Sequence, residues 1–126
     1  MKLFLILASI SGAVAVILGA FGAHVLKNII SPELMDVYKT GVQYQFYHTF
    51  ALLFVAILIH LHNSRSLKYA AWLFFIGILL FSGSLYLLAF TGIKILGIIT
   101  PFGGVAFIGG WVCLLGYAWR FQTTKP

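Results

Sequence analysis

YAAWLFFIGILLFSGSLYLLAFTGI, residues 69–93, runs for 25 residues without a charge, between Lys68 and Lys94. An α-helix rises about 1.5 Å per residue and the hydrocarbon core of a bilayer is about 30 Å thick, so roughly 20 apolar residues make one crossing. The run holds one such helix and is too short for two. Strands of a transmembrane barrel alternate in polarity, whereas Trp72-Leu73-Phe74-Phe75-Ile76 is apolar on all sides, as is Ala51-Leu52-Leu53-Phe54-Val55. The stretch reads as a membrane-spanning helix.

The rest of the chain is built alike. Its ten charged residues are Lys2, then Lys27, Glu33, Asp36 and Lys39, then Arg65 and Lys68, then Lys94, then Arg120 and Lys125. They separate four uncharged windows, Leu3 to Leu26, Thr40 to Ser64, Tyr69 to Ile93 and Ile95 to Trp119, of 24, 25, 25 and 25 residues. With 62% hydrophobic and 8% charged residues, against about 25% charged in soluble domains, a water-soluble fold is excluded. The sequence predicts an all-α integral membrane four-helix bundle, one domain over residues 1–126, with spans at about 3–24, 42–62, 69–91 and 101–120. An amphipathic helical extension precedes the second span.

That extension begins at Ser31-Pro32-Glu33, a cap residue followed by proline where no amide partner is needed, with Glu33 and Asp36 near the positive end of the helix dipole. Glu33, Asp36, Thr40 and Gln43 form a polar stripe opposite Leu34, Val37, Gly41 and Tyr44. Unbroken to His62, this helix is about 46 Å long and exceeds the bilayer, so its first turns protrude or bend, with Gly41 the natural place for a bend. Thr100-Pro101 repeats the device at the last span, and Ile95 to Ile99, too short to cross, is expected along the interface or dipping into it. The first span imitates a secretory signal, but its uncharged run outlasts the roughly 7 to 15 residues of an apolar signal core, so it is expected to be retained.

Four spans place Lys2, Arg65, Lys68, Arg120 and Lys125 on one side without acids. Lys27, Lys39 and Lys94 lie on the other, offset by Glu33 and Asp36. The positive-inside rule then predicts that both termini face the cytoplasm. The net charge of +6, scattered at helix ends, suits anionic lipid head groups, so membrane lipids are the expected partners and nucleic acid is not. Helices in lipid associate by close backbone approach. The first span offers Ala8, Gly12, Ala15, Gly19 and Gly22 on one face, and the last Ala106, Gly109, Gly110, Cys113 and Gly116. These stripes are expected to seat helices within the bundle, a homo-oligomer seam being the alternative; Cys113 reads as a small packing residue.

Polar groups inside spans are costly and mark function. His24, Tyr44, Gln45, His48, Ser82, Ser84, Tyr86 and Thr100 all fall in the half of the spans away from the termini, which suggests one outward-facing polar pocket. Gln45 and His48 share a stripe, with Tyr44 one turn before His48. They serve either as interhelical hydrogen-bond glue with Ser82, Ser84 or Tyr86 or as a site for a lipid head group, a small amphiphile or a membrane partner. Catalytic residues are not expected, since no intramembrane acid orients His48 and neither serine lies in a nucleophile elbow. His24 and His48 fall short of the three or four ligands of a zinc site, although two histidines suffice for six-coordinate haem. His60 and His62 are expected to be solvated at a helix end. No metal and no cofactor is predicted.

Gly19-Ala20-Phe21-Gly22-Ala23-His24, Tyr44-Gln45-Phe46-Tyr47-His48, Phe81-Ser82-Gly83-Ser84-Leu85-Tyr86, and Thr100-Pro101-Phe102-Gly103-Gly104 with Gly110-Trp111 resemble, in order and separation, the domain-of-unknown-function 423 family of small bacterial membrane proteins, related to eukaryotic transmembrane protein 256. The resemblance covers nearly the whole chain. It implies a four-span inner-membrane protein and supplies no reaction. A non-catalytic, uncharacterised membrane protein is therefore expected. The alternative, an oligomeric transporter or channel subunit, is disfavoured by the lack of charge within the spans, and a haem protein or enzyme stands third.

Overall fold

The computed structural model describes residues 1–123; Lys125, counted above with the basic side, lies outside them. Four long helices make up the fold, and no strand occurs among the described residues. They are α1, Lys2–His24; α2, Pro32–Leu61; α3, Arg65–Thr91; and α4, Thr100–Thr123. Short 3-10 turns, Leu26–Asn28 and Lys94–Ile98, lie in the first and last connections. All four helices are long and apolar enough to cross a membrane.

The helix ends follow from local chemistry. Ser31 Oγ accepts the Leu34 amide at 3.2 Å, Pro32 opens α2 and Glu33 lies in its first turn. Gly92 closes α3 at φ 68°, in the left-handed region that favours a residue without Cβ, and its amide donates to the Leu88 carbonyl. At about 1.5 Å per residue, α2 outruns a 30 Å hydrocarbon core by about 15 Å. The overhang falls at its charged start, Glu33 to Lys39. The helix stays unbroken through Gly41. Instead of a bend, that glycine makes room for Tyr86 of α3, whose ring carbon would stand 2.9 Å from a Cβ there.

Packing is antiparallel throughout, with α2 and α3 in the middle, α1 against α2 and α4 against α3. Lipid tails are as apolar as leucine, so the helices gain by interlocking shape. Between α3 and α4 each layer sets a phenylalanine on a glycine: Phe74 on Gly110, Phe107 on Gly77, Phe81 on Gly103. A Cβ on Gly110, Gly77 or Gly103 would lie 2.6, 2.4 or 2.3 Å from its partner, and for Gly103 the obstruction is the Phe81 backbone nitrogen. The spacing of 3 and 4 residues on both helices, 74, 77, 81 and 103, 107, 110, is that of ridges meshing with grooves. On α1 the small stripe faces α2. Gly12 meets Thr49, Gly19 meets Val42, and a Cβ on Gly22 would fall 2.4 Å from the Tyr38 ring.

Midway along α3 the backbone widens into a π turn, Ile78–Ser82. Phe81, in that turn, sets its backbone against Gly103 of α4, and Ser82 donates to the Gly41 carbonyl of α2 at 2.7 Å. One turn of α3 thus grips both neighbours. The larger core lies towards the termini, around Phe4, Leu52, Val55, Ala56, Leu67 and Phe74, and a smaller one around Leu26, Met35, Tyr38 and Ala89 lies near the opposite connections. Phe102, Val105, Ile108, Leu115 and Trp119 of α4 are each at least 64% exposed, which in a membrane means facing hydrocarbon.

Adding a methyl group to this interlock is expected to lower stability by about 1–3 kcal/mol in Gly110→Ala, and by more in Gly103→Ala, where backbone blocks the new atom. Gly116→Ala, whose Cβ would meet nothing within 4 Å, is expected to stay within about 0.5 kcal/mol of the parent. Unfolding in mixed micelles of increasing SDS fraction measures all three; equal losses would speak against the interlock.

Candidate functional site

The polar interior starts from α2, because this helix has neighbours on most of its circumference. Tyr86 Oη on α3 donates to Gln45 Oε1 at 2.6 Å. Gln45 Nε2 donates to the Ser11 carbonyl of α1 at 2.9 Å and approaches Ser11 Oγ at 3.4 Å. Ser11 Oγ and Thr49 Oγ1 share a hydrogen bond of 2.7 Å. One glutamine amide therefore ties three helices. Above it the Tyr38 hydroxyl donates to the Leu18 carbonyl, and the Tyr38 and Tyr86 rings lie 5.4 Å apart.

His48 belongs to a different group. Three residues along a helix rotate by about 300°, so Gln45 and His48 point about 60° apart, enough for Gln45 to meet α1 and α3 while His48 meets α4. The ring stacks on Phe107 with centroids 3.5 Å apart and an interplanar angle of 8°. Trp111 Nε1 lies 3.2 Å from His48 Nε2, and His48 Nδ1 lies 2.9 Å from the Tyr44 carbonyl. An indole N–H only donates, so Nε2 accepts, and the proton of the neutral imidazole sits on Nδ1 and donates to Tyr44. Both ring nitrogens are engaged.

The eight residues read from the sequence thus fall into separate groups rather than one pocket. Gln45 and Tyr86 meet. Tyr44 stacks on Phe81 at 4.6 Å beside His48. Ser82 is fully buried against Gly41. Ser84 shares a 2.7 Å hydrogen bond with Thr100 and donates to the Phe81 carbonyl at 2.9 Å. His24 is exposed at the end of α1, outside these groups. Ser11, Thr49, Tyr38, Phe107 and Trp111 were not among the eight; only their register against α2 and α3 reveals them.

Among the described residues no buried side-chain nitrogen or oxygen lacks a hydrogen-bond partner. The arrangement has no serine–histidine pair: Ser82 and Ser84 are spent on Gly41 and on Phe81 and Thr100, and the His48 Nε2 lone pair on Trp111. No group of three His, Cys, Asp or Glu that could hold a metal ion occurs among the described residues. Two of the grooves that open towards lipid touch these residues. One, of about 440 Å³, is lined by Tyr44, His48, Phe81, Gly104, Phe107, Ile108 and Trp111 between α2, α3 and α4. The other, about 250 Å³, runs over Ser11 and Gln45 between α1 and α3, with Leu7, Ile10, Val14, Phe75, Ile78 and Leu79 as walls.

Four apolar helices around an internally satisfied polar interior define a multi-pass integral membrane protein. The family model described as Protein of unknown function (DUF423) matches residues 18–104. The chain is 50% identical over 122 residues to the UPF0382 membrane protein YwdK of Bacillus subtilis, covering 96% of this chain and 99% of that one. It is 47% identical over 121 residues to a UPF0382 membrane protein of Staphylococcus aureus, covering 96% and 98%. A Staphylococcus haemolyticus relative of the same description is 45% identical over 121 residues, again covering 96% and 98%. The chain belongs to this family of uncharacterised membrane proteins. No solved structure matches it.

The Tyr86–Gln45 bond predicts a measurable coupling. In a double-mutant cycle of Gln45→Leu and Tyr86→Phe, the two losses of stability are expected to be non-additive by about 0.6–1.7 kcal/mol, the range of hydrogen bonds between membrane helices. Additive losses would remove the bond as a stabilising element.

Proposed function

We propose that the protein is a non-catalytic inner-membrane protein, with both termini cytoplasmic, that holds an amphiphile in the aromatic groove between α2 and α4. Support for the orientation comes from Lys2, Arg65, Lys68 and Arg120 gathering at the terminal end of the bundle, with Glu33 and Asp36 at the other. The absence of catalysis rests on the committed lone pair of His48 and the committed hydroxyls of Ser82 and Ser84. A base whose acceptor nitrogen already takes an indole proton has nothing to offer a substrate.

The observation that carries the binding role is the groove itself. Of the residues singled out in the sequence, Tyr44 and His48 wall this cavity together, and about 440 Å³ falls within the size of small-molecule sites. Tyr44 is 38% exposed there, which leaves its hydroxyl available to a head group, while Phe81, Phe107 and Trp111 give an apolar bed for the tail. Gly104 keeps the groove open: a Cβ there would lie 3.9 Å from the Phe81 ring, in ordinary contact.

Gly104→Leu should therefore fill the groove without disturbing the helices. Native mass spectrometry of gently extracted protein is expected to show one retained amphiphile per wild-type chain, and at least about fivefold lower occupancy in Gly104→Leu, at an unchanged unfolding midpoint. Equal occupancy in both proteins would remove the groove as the site.

A further inference from the structure

We infer a second binding site at the terminal end of the bundle: a slot between α3 and α4 that takes the phosphate of an anionic phospholipid from the leaflet at that end. The slot has a volume of about 400 Å³ and lies between Arg65 and Tyr69 on α3 and Val112, Gly116 and Arg120 on α4. Antiparallel pairing brings the first residue of α3 and the last turn of α4 to one depth, so a guanidinium flanks each side. The two lipid-open grooves above carry no charged residue; this one carries two.

Charge and shape both select the occupant. The chain has only two acidic side chains, Glu33 and Asp36, and both lie at the opposite end of the bundle. Guanidinium forks match the oxygens of a phosphate with paired N–H donors. Tyr69, 62% exposed, sits beside Arg65 where amphipathic rings favour the head-group layer. Val112 continues the slot with an apolar wall suited to an acyl chain. The floor is fixed, because Ser66 Oγ donates to the Cys113 carbonyl at 2.6 Å and clamps α3 to α4. Gly116 leaves the space clear, since a Cβ there would meet nothing within 4 Å. A lipid with a net negative head group fits better than a zwitterionic one, whose own ammonium competes for the phosphate.

Native mass spectrometry of the full chain, titrated with phosphatidylglycerol and with phosphatidylcholine of the same acyl chains, tests this. Wild type is expected to prefer phosphatidylglycerol about tenfold for the first lipid bound, and Arg65→Gln to lose about fivefold of that preference. Gly116→Leu fills the slot and is expected to abolish the preference at an unchanged unfolding midpoint. Lys68→Gln, one turn from Arg65 but outside the slot, is expected to keep it, and excess inorganic phosphate should not displace the lipid. An equal loss in Lys68→Gln would mean diffuse attraction and overturn the site, as would a preference that survives Gly116→Leu. Displacement by inorganic phosphate would make the occupant a free anion and overturn the lipid assignment.

Discussion

Between α3 and α4 the rings of Phe74 and Phe107 each rest on the bare backbone of a glycine opposite, and Gly103 meets the backbone of Phe81; the rest of the structure follows from that contact. In water, burying Phe74, Phe81 and Phe107 would itself hold two helices together. In lipid it would not, since the rings are equally content against acyl chains. What lipid cannot reproduce is the dense fit of a flat ring against a residue without Cβ, where many weak dispersion contacts accumulate. The fit sets the rotation of α4. That rotation carries Trp111 to His48 and closes Phe107 onto the imidazole face. It also brings Gly103 against the backbone at Phe81, within the five residues where α3 adopts a π turn.

The number, length and direction of the helices were legible because each crossing is bracketed by charge and the Ser31 cap is local; Thr100 caps nothing, being the first residue of α4 with its hydroxyl on Ser84. The polar group was legible only in part. Gln45 with Tyr86, and Ser84 with Thr100, lie on helix faces that periodicity alone can align. Ser11 and Thr49 were not singled out, and Trp111 was read only as part of a family-like motif, because their partners lie on other helices at depths that periodicity does not specify. Depth does obey a simple rule here. Gly77 and Phe107, Phe74 and Gly110, Phe81 and Gly103, and Ser84 and Thr100 are each placed symmetrically about Gly92, the left-handed residue at the turn. Ser11 and Thr49, like Gly22 and Tyr38, are symmetric about Ile30. Centring each hairpin on its turn residue would have found them.

The small residues of α4 show the complementary difficulty. The stripe Ala106, Gly109, Gly110, Cys113 and Gly116 is a natural helical face, yet the tightest contacts involve Gly103 and Gly110, each about one turn from Phe107. A glycine is important where a large residue faces it, and composition along one helix does not say what faces it. Gly116 belongs to the same stripe and seats nothing; its role is the space it leaves. The interior, by contrast, is chemically closed, with each buried polar group answered by another. Whatever the protein recognises therefore meets its grooves and rims rather than its centre.

The pairing of hydrogen bonds also imposes an order on how the molecule can be made. Ser11 with Thr49, the Gln45 amide nitrogen with the Ser11 carbonyl, and Tyr38 with Leu18 all close within α1 and α2. Ser84 with Thr100 and Ser66 with Cys113 close within α3 and α4. Taken alone, each half of the chain is thus a hairpin whose polar side chains are mostly satisfied within it. Two side-chain acceptors on α2 are met only when the halves dock, Gln45 Oε1 by Tyr86 and His48 Nε2 by Trp111, and the Gly41 carbonyl there takes Ser82 as a second donor. They act as a checksum on assembly, answered together only when the second hairpin arrives at the right depth and rotation.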